Sequence, residues 1–313
     1  MMVSMSDVTF IGEDLFRPES VLTTARGEIF CSDHRTGVMQ LGKAKRALNG
    51  VPEGFLPNGI ALLKNREVLV ANLGAGGGVW RIDHDANLHP WLMEADGEPL
   101  TITNFVGIDS MNRTWVSMST RRSPRELSFR KGVGDGFIAM VDESGARIMA
   151  DGIGFTNECR VDPSGKWVYV NETFDRKLSR FPLDRNRLGQ KEVVVEFDDG
   201  NFPDGLSFDE EGGVWVACVV SNRVLRVTQS GAVEVVLDDS DRAIIEAAEN
   251  KYRQNELGRA DVDSGSRRIL GNVSSIAFGG ADRRQVILGT LGNNRLATFR
   301  SSIAGAAPPH WHF

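Results

Sequence analysis

The segment Asn201–Val227, NFPDGLSFDEEGGVWVACVVSNRVLRV, contains the pattern that decides the fold. Leu206 and Phe208 alternate with smaller or polar residues, as in a half-buried β-strand. A turn rich in Glu and Gly leads to the apolar run Val214–Ala217, and a third apolar run follows the next break. The run Ala232–Leu237 supplies a fourth candidate strand. Four short antiparallel strands within about 40 residues are the repeating unit of a β-propeller blade.

The same pattern recurs along the chain, with a Trp at the same register in three of the copies. The sequence therefore predicts an all-β fold, a single six-bladed β-propeller domain of four-stranded antiparallel blades over residues 1–313. The predicted blades span approximately residues 15–50, 55–93, 103–151, 155–197, 202–238 and 272–301. We expect Val8–Phe10 to supply the outer strand of the last blade and close the ring. We expect the tail after Ala304 to be a surface extension.

Two predicted connections are too long to be simple turns. Residues 119–134 lie between the second and third strands of blade 3, and residues 238–271 lie between blades 5 and 6. The second insertion is predicted to contain one amphipathic helix, whose apolar side chains recur at helical spacing as Ile244, Ile245, Ala248 and Tyr252. Strand direction puts both insertions on the face where the first strands begin, here called the top face, and long loops on one face indicate a working surface. We expect the helix either to cover the channel or to pack against a second subunit in a homodimer.

Net charge, apolar runs and cysteine spacing argue against several classes of protein. The net charge of −6 disfavours binding to nucleic acid or to an anionic membrane surface. No apolar run approaches the roughly 20 residues of a membrane helix, and the first residues lack the basic and apolar regions of a signal peptide. The three cysteines lie in or beside apolar strands without CxxC spacing, so we expect reduced thiols. These features predict a cytoplasmic protein whose partner is a small molecule.

One position of the repeat carries an oxygen-bearing side chain in all six copies. This position precedes the first strand of each blade and is occupied by Glu19, Asn58, Asn104, Asn157, Asp204 and Ser274. Since first strands line the central channel, these side chains are expected to ring its top. Asx residues also begin strands through local turns, but that explanation does not call for a Glu. A divalent cation would offset the unfavourable burial of so many polar groups, and the lack of His in the ring disfavours a His-rich zinc site.

The sequence resembles a known family at this point. Pro203–Leu206 followed by Val214–Cys218 is similar to the signature blade of the gluconolactonase, regucalcin and luciferin-regenerating-enzyme family. The turns at Pro57–Gly59 and Asp162–Gly165 are also similar, and the resemblance spans about residues 15 to 300. It implies a six-bladed propeller with one divalent cation on the axis, Ca²⁺ in the first place, with Mg²⁺, Mn²⁺ and Zn²⁺ as alternatives.

The resemblance also implies roles for individual residues. Glu19, Asn157 and Asp204 are the implied metal ligands, and Asn104 is the implied substrate contact. The predicted function is that of a metal-dependent hydrolase of a lactone or ester, in which Asp204 is the catalytic residue that takes a proton from the attacking water.

The departures from the family pattern predict a substrate other than gluconolactone. Sugar lactonases of this family carry Arg and Asp where this chain has Ile102 and Phe105, so we expect an apolar pocket wall there and a preference for aromatic or alkyl lactones. His34, Glu172 and Arg121 are further candidate substrate contacts, because strand counting puts all three on the top face.

Two other functions are consistent with the sequence. The blade-4 sequence Asn171–Thr173 also resembles strictosidine-synthase-like propellers, which favours a metal-dependent enzyme that does not hydrolyse its substrate, such as a lyase or isomerase. A metal-stabilised propeller whose top face binds another protein is the alternative from a different class. The fold alone does not separate these functions.

Overall fold

The six sequence repeats fold into antiparallel sheets arranged as the blades of a propeller, which confirms the predicted fold class. A computed structural model describes residues 2–42 and 51–313. The last part of the predicted blade 1, residues 43–50, lies outside the described residues.

The strands follow the blades in chain order. The first strand, β1 (Thr9–Ile11), belongs to the last blade, and blade 1 contains β2 (Val21–Thr23), β3 (Ile29–Asp33) and β4 (Gly37–Gln40). Blade 2 contains β5 (Pro57–Leu62), β6 (Val68–Asn72), β7 (Val79–Ile82) and β8 (Leu88–Leu92), and a hairpin of β9 (Glu94–Ala95) and β10 (Glu98–Pro99) follows it. Blade 3 contains β11 (Thr103–Ile108), β12 (Thr114–Met118), β13 (Gly134–Asp142) and β14 (Gly145–Gly154). Blade 4 contains β15 (Thr156–Val161), β16 (Trp167–Glu172), β17 (Lys177–Asp184), β18 (Arg187–Leu188) and β19 (Glu192–Glu196).

The last two blades complete the ring. Blade 5 contains β20 (Asn201–Phe208), β21 (Val214–Val220), β22 (Arg223–Val227) and β23 (Val233–Asp238), and blade 6 contains β24 (Val273–Gly279), β25 (Gln285–Thr290) and β26 (Leu296–Arg300). β1 pairs with β26 in antiparallel register, with Thr9 opposite Thr298 and Ile11 opposite Leu296. This pairing confirms the expected closure, and it covers an edge that would otherwise present unpaired backbone groups.

Buried tryptophans fix the turns at the bottom of blades 3 and 5. The indole nitrogens of Trp115 and Trp215 donate to the carboxylates of Asp109 and Asp209 at 2.8 and 2.9 Å. Each carboxylate also accepts from a neighbouring arginine, and for Asp209 this donor is Nε of Arg226 at 2.6 Å. In blade 5 the buried, paired carboxylate ties the first turn to the second and third strands, and in blade 3 it ties the turn to the second strand.

Replacing Asp209 by Ala is expected to lower the free energy of unfolding by about 3 kcal/mol, because it removes the buried partner of Arg226. Burial raises the pKa of Asp209, but the hydrogen bonds from Arg226, the Gly213 amide and Trp215 outweigh burial and leave the pKa below its usual range. The contribution of Asp209 to stability is therefore present above about pH 4 and is lost as the pH falls through the lowered pKa.

Urea unfolding at pH 7 and in acid measures both effects. The difference between wild type and Asp209→Ala should shrink as the pH falls, because the wild-type carboxylate becomes protonated. Asp282→Ala is the matched control, since Asp282 lies in the corresponding turn of blade 6 but forms an exposed pair with Arg300. A wild-type unfolding midpoint for Asp209→Ala at pH 7 would contradict the assignment.

The insertion between blades 5 and 6 contains two helices rather than the single predicted one. Helix α1 (Arg242–Arg253) begins after Asp241, whose carboxylate accepts from the amide of Ala243 at 2.9 Å and caps the helix. Helix α2 (Arg259–Val262) follows Gly258, and a 3₁₀ turn (Asp263–Arg267) leads on to blade 6. Gly258 therefore precedes a second, short helix that the sequence pattern did not predict.

The apolar face of α1 packs on its own chain. Ala248 and Tyr252 belong to one buried cluster with Phe174 and Phe202 of blades 4 and 5, and with Phe129 from the insertion in blade 3. The Tyr252 hydroxyl donates to the carbonyl of Phe174. The two insertions therefore meet on the top face, and the helix covers its own propeller there. The expected homodimer stays a prediction.

The C-terminal tail crosses the bottom of the propeller. Gly305 pairs with Asp209, His310 and Trp311 are buried, and the Trp311 carbonyl accepts from the Ala25 amide at 2.7 Å. The expectation of a surface extension was wrong, because the tail buries apolar side chains beneath the channel. Residues 306–309 line a cavity of about 150 Å³ at this end. Among the described residues, no helix is long and apolar enough to cross a membrane.

Candidate functional site

The residues of the predicted ring lie at irregular points of the first strands. The pairing of first and second strands shifts register between Pro57 and Ile60 in blade 2, and at the corresponding points of blades 3, 4, 5 and 6. Five ring residues lie within these shifts, namely Asn58, Asn104, Asn157, Asp204 and Ser274. A bulge bends the strand and redirects a side chain. We infer that these irregularities turn the polar side chains toward the channel, a feature that period-two reasoning did not anticipate.

All six ring residues are buried, and hydrogen bonds hold part of the ring in place. Nδ2 of Asn58 donates to the carbonyl and to Oδ1 of Asn104, at 2.9 and 3.2 Å. Nδ2 of Asn157 donates to Oγ1 of Thr173 at 3.0 Å. The Ser274 hydroxyl donates to the backbone carbonyl of Glu19 at 2.8 Å, which links blade 6 to blade 1. The contacts of Asn58 and Ser274 thus join neighbouring blades, whereas the contact of Asn157 lies within blade 4.

Two amide oxygens of the ring remain without a hydrogen bond. Oδ1 of Asn58 and Oδ1 of Asn157 are buried and have no partner among the described residues. Leaving such an acceptor unpaired costs about 1–3 kcal/mol. A cation or a hydrogen-bond donor from a ligand would remove this penalty. The two oxygens therefore mark a candidate binding site.

The carboxylates of Glu19, Glu158 and Asp204 lie within electrostatic range of one another. Burial raises the pKa of Asp204 well above its usual range, and the negative charges of Glu19 and Glu158 raise it further. Burial also raises the pKa of Glu158, although its Oε2 accepts from Nε of Arg160 at 3.0 Å and from the Leu206 amide at 3.1 Å. The like charges of these acids would be stabilised by a bound cation.

Three arginines from different elements lie near Glu19. Nε of Arg17 donates to Glu19 at 3.2 Å, and Arg259 of α2 donates to Asp263 at 2.7 and 2.8 Å. Arg125, from the insertion in blade 3, lies within electrostatic range of Arg259, Glu19 and Arg17, and burial lowers its pKa. Both insertions therefore deliver a guanidinium to the mouth of the channel.

Residues 18–239 match the model of the family described as the SMP-30/Gluconolactonase/LRE-like region. The chain belongs to this family. A 6-deoxy-6-sulfogluconolactonase of Pseudomonas putida is 31% identical over 161 residues, which cover 50% of this chain and 53% of that protein. The chain thus spans about half the length of this curated relative.

Solved structures of the family share the fold. A gluconolactonase from Xanthomonas campestris aligns with a TM-score of 0.68 at 15% identity and covers 96% of this chain and 93% of its own. The calcium-binding protein regucalcin from Agrobacterium tumefaciens aligns with a TM-score of 0.69 at 16% identity and covers 97% and 98%. At these identities the two structures support the propeller fold of this SMP-30/gluconolactonase-like chain and nothing further.

The structure brings together Glu19, Asp204, Asn157 and His34 among the predicted site residues of this family member. His34 lies near Glu19 and Arg17, and burial lowers its pKa to about 4, so the imidazole is neutral at pH 7. In the described part of the chain, no three His, Cys, Asp or Glu side chains are placed so that they could hold a metal ion. A cation site here would therefore have to combine two carboxylates with amide oxygens.

Phe105 does not line the channel. Its ring is 1% exposed and packs between blades 3 and 4 with Trp115, Cys159 and Val170. Regular pairing with β12 resumes at Phe105, which lies opposite Ser117, and its side chain enters the core between the blades. Ile102 is partly buried against the core between blades 2 and 3. These two residues therefore do not form the expected apolar pocket wall. The expected preference for aromatic or alkyl lactones loses its basis.

Glu172 and Arg121 are both held by protein partners. The buried Glu172 carboxylate accepts from the Gly154 amide at 2.9 Å and from Lys191 at 3.1 Å. Arg121 donates to Glu98 at 3.0 Å and to Asp151 at 2.8 Å. Both side chains are thus paired within the chain, and their role as substrate contacts stays a prediction.

Sequence reasoning missed Glu158, Arg17 and Arg259, and it chose Arg121 rather than Arg125 from the insertion in blade 3. Glu158 follows Asn157 directly, and the spacing of the repeat does not mark it as a site residue. Arg121 and Arg125 belong to the same insertion, and the sequence carries no sign of which arginine turns inward.

Proposed function

We propose that this chain is a divalent-metal-dependent lactone hydrolase whose site is the polar ring at the top of the channel. The observation that carries the proposal is the unpaired, buried Oδ1 of Asn157 beside the carboxylates of Glu19 and Asp204. The Pseudomonas relative is named for a lactonase activity, and the Xanthomonas neighbour is called a gluconolactonase, which supports a lactone as substrate.

Glu19, Asn157 and Asp204 would hold the cation. They offer only oxygen donors, which suits Ca²⁺ first and Mg²⁺ or Mn²⁺ next, and the Agrobacterium neighbour is described as calcium-binding. When bound, such a cation polarises a carbonyl and stabilises the negative charge that develops on its oxygen.

The other catalytic and binding roles belong to side chains of the ring. The Asp204 carboxylate accepts a proton from the attacking water, as a general base within the buried site. Oδ1 of Asn104 accepts from Asn58, which fixes the amide and leaves its nitrogen to donate to a substrate oxygen. The two insertions on the top face limit the entry of bulk water, and the tail covers the bottom of the propeller.

Removal of the metal is expected to abolish lactone hydrolysis. Protein treated with a chelator and then dialysed should lose activity toward a panel of lactones, and stoichiometric Ca²⁺ should restore it. The metal content is measured by elemental analysis and the rate by acid release at constant pH. Glu192→Gln, on the outer strand of blade 4, is a control that should behave as wild type in both assays.

Two results would contradict the proposal. Full activity of the chelated, metal-free protein would remove the requirement for a cation. A protein that binds one cation per chain but hydrolyses no lactone would instead favour one of the alternatives, a non-hydrolytic enzyme or an interaction propeller.

A further inference from the structure

The mouth of the channel carries more positive charge than its own chain neutralises. The geometry points to a lactone that bears a negatively charged group, held by Arg125 and Arg259 above the ring. This inference rests on the proposed function, because it names the class of lactone that the same site takes.

Arg125 has fewer hydrogen-bond acceptors within the described chain than the other arginines of the blade-3 insertion. Its side chain is only 16% exposed, and its acidic neighbour Glu126 is 4.0 Å away. Its guanidinium forms no hydrogen bond with any part of the chain that the structure describes. By contrast, Arg122 is 46% exposed and pairs with Asp135 at 3.1 Å. Since a guanidinium has five donors, a largely buried one without acceptors is ready to bind an anion from outside the chain.

Arg259 and Arg17 share one carboxylate. Asp263 accepts two hydrogen bonds from Arg259 and lies 3.7 Å from Nη1 of Arg17. These contacts hold the two guanidinium groups close to the ring. Arg259 also lies within electrostatic range of Glu19 and Asp204, so a group bound to it is near the site of hydrolysis.

With a divalent cation bound, the charged side chains at the mouth of the channel leave an excess of positive charge. Two carboxylates, Glu19 and Asp204, balance a divalent cation, and the third, Glu158, is paired with Arg160 at 3.0 Å, so these two charges cancel. The arginines that remain are Arg17, Arg125 and Arg259, against the acids Asp263 and Glu126. A substrate anion restores neutrality, and the planar fork of Arg suits a carboxylate, sulfonate or phosphate group.

The test compares lactones of one ring size that differ in a single substituent. One lactone is neutral, and the others carry a carboxylate, a sulfonate or a phosphate at the same carbon. Wild type is expected to prefer at least one charged lactone by about tenfold or more in kcat/KM, mainly through KM. The arms with three different anions identify which group the site takes.

Arg125→Gln is expected to lower kcat/KM for the preferred charged lactone by about 10- to 100-fold and to change the neutral lactone less than about twofold. Arg122→Gln is the matched control, from the same insertion, and should resemble wild type with every lactone. Arg125→Lys keeps the charge but loses the fork, so it should fall between wild type and Arg125→Gln.

A binding measurement separates this inference from the proposed function. A cyclic ether that carries the same anionic group but no ester is titrated calorimetrically into metal-loaded wild type and Arg125→Gln. Binding by wild type and loss of binding in the variant support the anion site, even if no lactone is hydrolysed and the proposed function fails. Equal rates with neutral and charged lactones, together with no binding of the ether, would overturn the inference and leave lactone hydrolysis standing. If Arg125→Gln does not fold, the wild-type preference and the ether titration still decide.

Discussion

Replacing Asp204 by Asn is expected to lower kcat by about 10³-fold or more while the propeller stays folded. The substitution keeps the size of the side chain and removes one negative charge. Asp204 is 8% exposed, and its backbone carbonyl accepts from Nδ2 of Asn171 at 2.9 Å. That contact does not depend on the carboxylate, so the link between blades 4 and 5 is retained.

The same variant should bind the cation more weakly, because one of the two proposed carboxylate ligands becomes neutral. In the metal-free protein it should not be destabilised, since it relieves repulsion between Asp204, Glu19 and Glu158. Calorimetric titration with Ca²⁺ and thermal unfolding in the presence of a chelator measure these two effects. Asp162→Asn is the control, because Asp162 lies in the bottom turn of blade 4, where it accepts from the Ser164 hydroxyl. A fully active Asp204→Asn protein would rule out the role assigned to Asp204.

The repeat made the fold predictable. Apolar strands with turns between them recur six times, and the Asx and Glu residues before the first strands stand at one register. The structure explains why that register carries polar groups, because the first strands are irregular at these points in blades 2 to 6. The ring could therefore be found from the alignment of the copies, although the irregularities themselves could not.

The substrate contacts were harder to predict, because they depend on which partners a side chain finds in three dimensions. Arg121 meets Glu98 and Asp151, which come from other parts of blades 2 and 3, whereas Arg125 turns inward from the same insertion. Phe105 packs in the core, although its neighbour Asn104 belongs to the ring. Spacing alone shows neither outcome, since ion pairs and burial are set by strands distant in sequence.

Replacing Tyr252 by Ala is expected to detach α1 from the top face and raise KM about tenfold or more. Tyr252 is buried among Phe174, Phe202 and Ala248, and its hydroxyl donates to the Phe174 carbonyl. Removing a buried aromatic side chain costs about 3–5 kcal/mol, which is enough to loosen a short helix from its support. Because α1 leads directly into α2, the position of Arg259 above the ring depends on this docking.

Three measurements distinguish a helix that covers the channel from one that joins two subunits. Hydrogen exchange of residues 242–262 should become faster in Tyr252→Ala, KM should rise, and the mass in solution should stay that of wild type. Arg242→Ala is the control, because Arg242 lies on the exposed side of the same helix, where it pairs with Glu246. A fall in mass from dimer to monomer with unchanged kinetics would instead assign α1 to a subunit interface. That outcome would require the cluster around Tyr252 to be completed by a second chain, although Phe129, Phe174 and Phe202 already surround it within one.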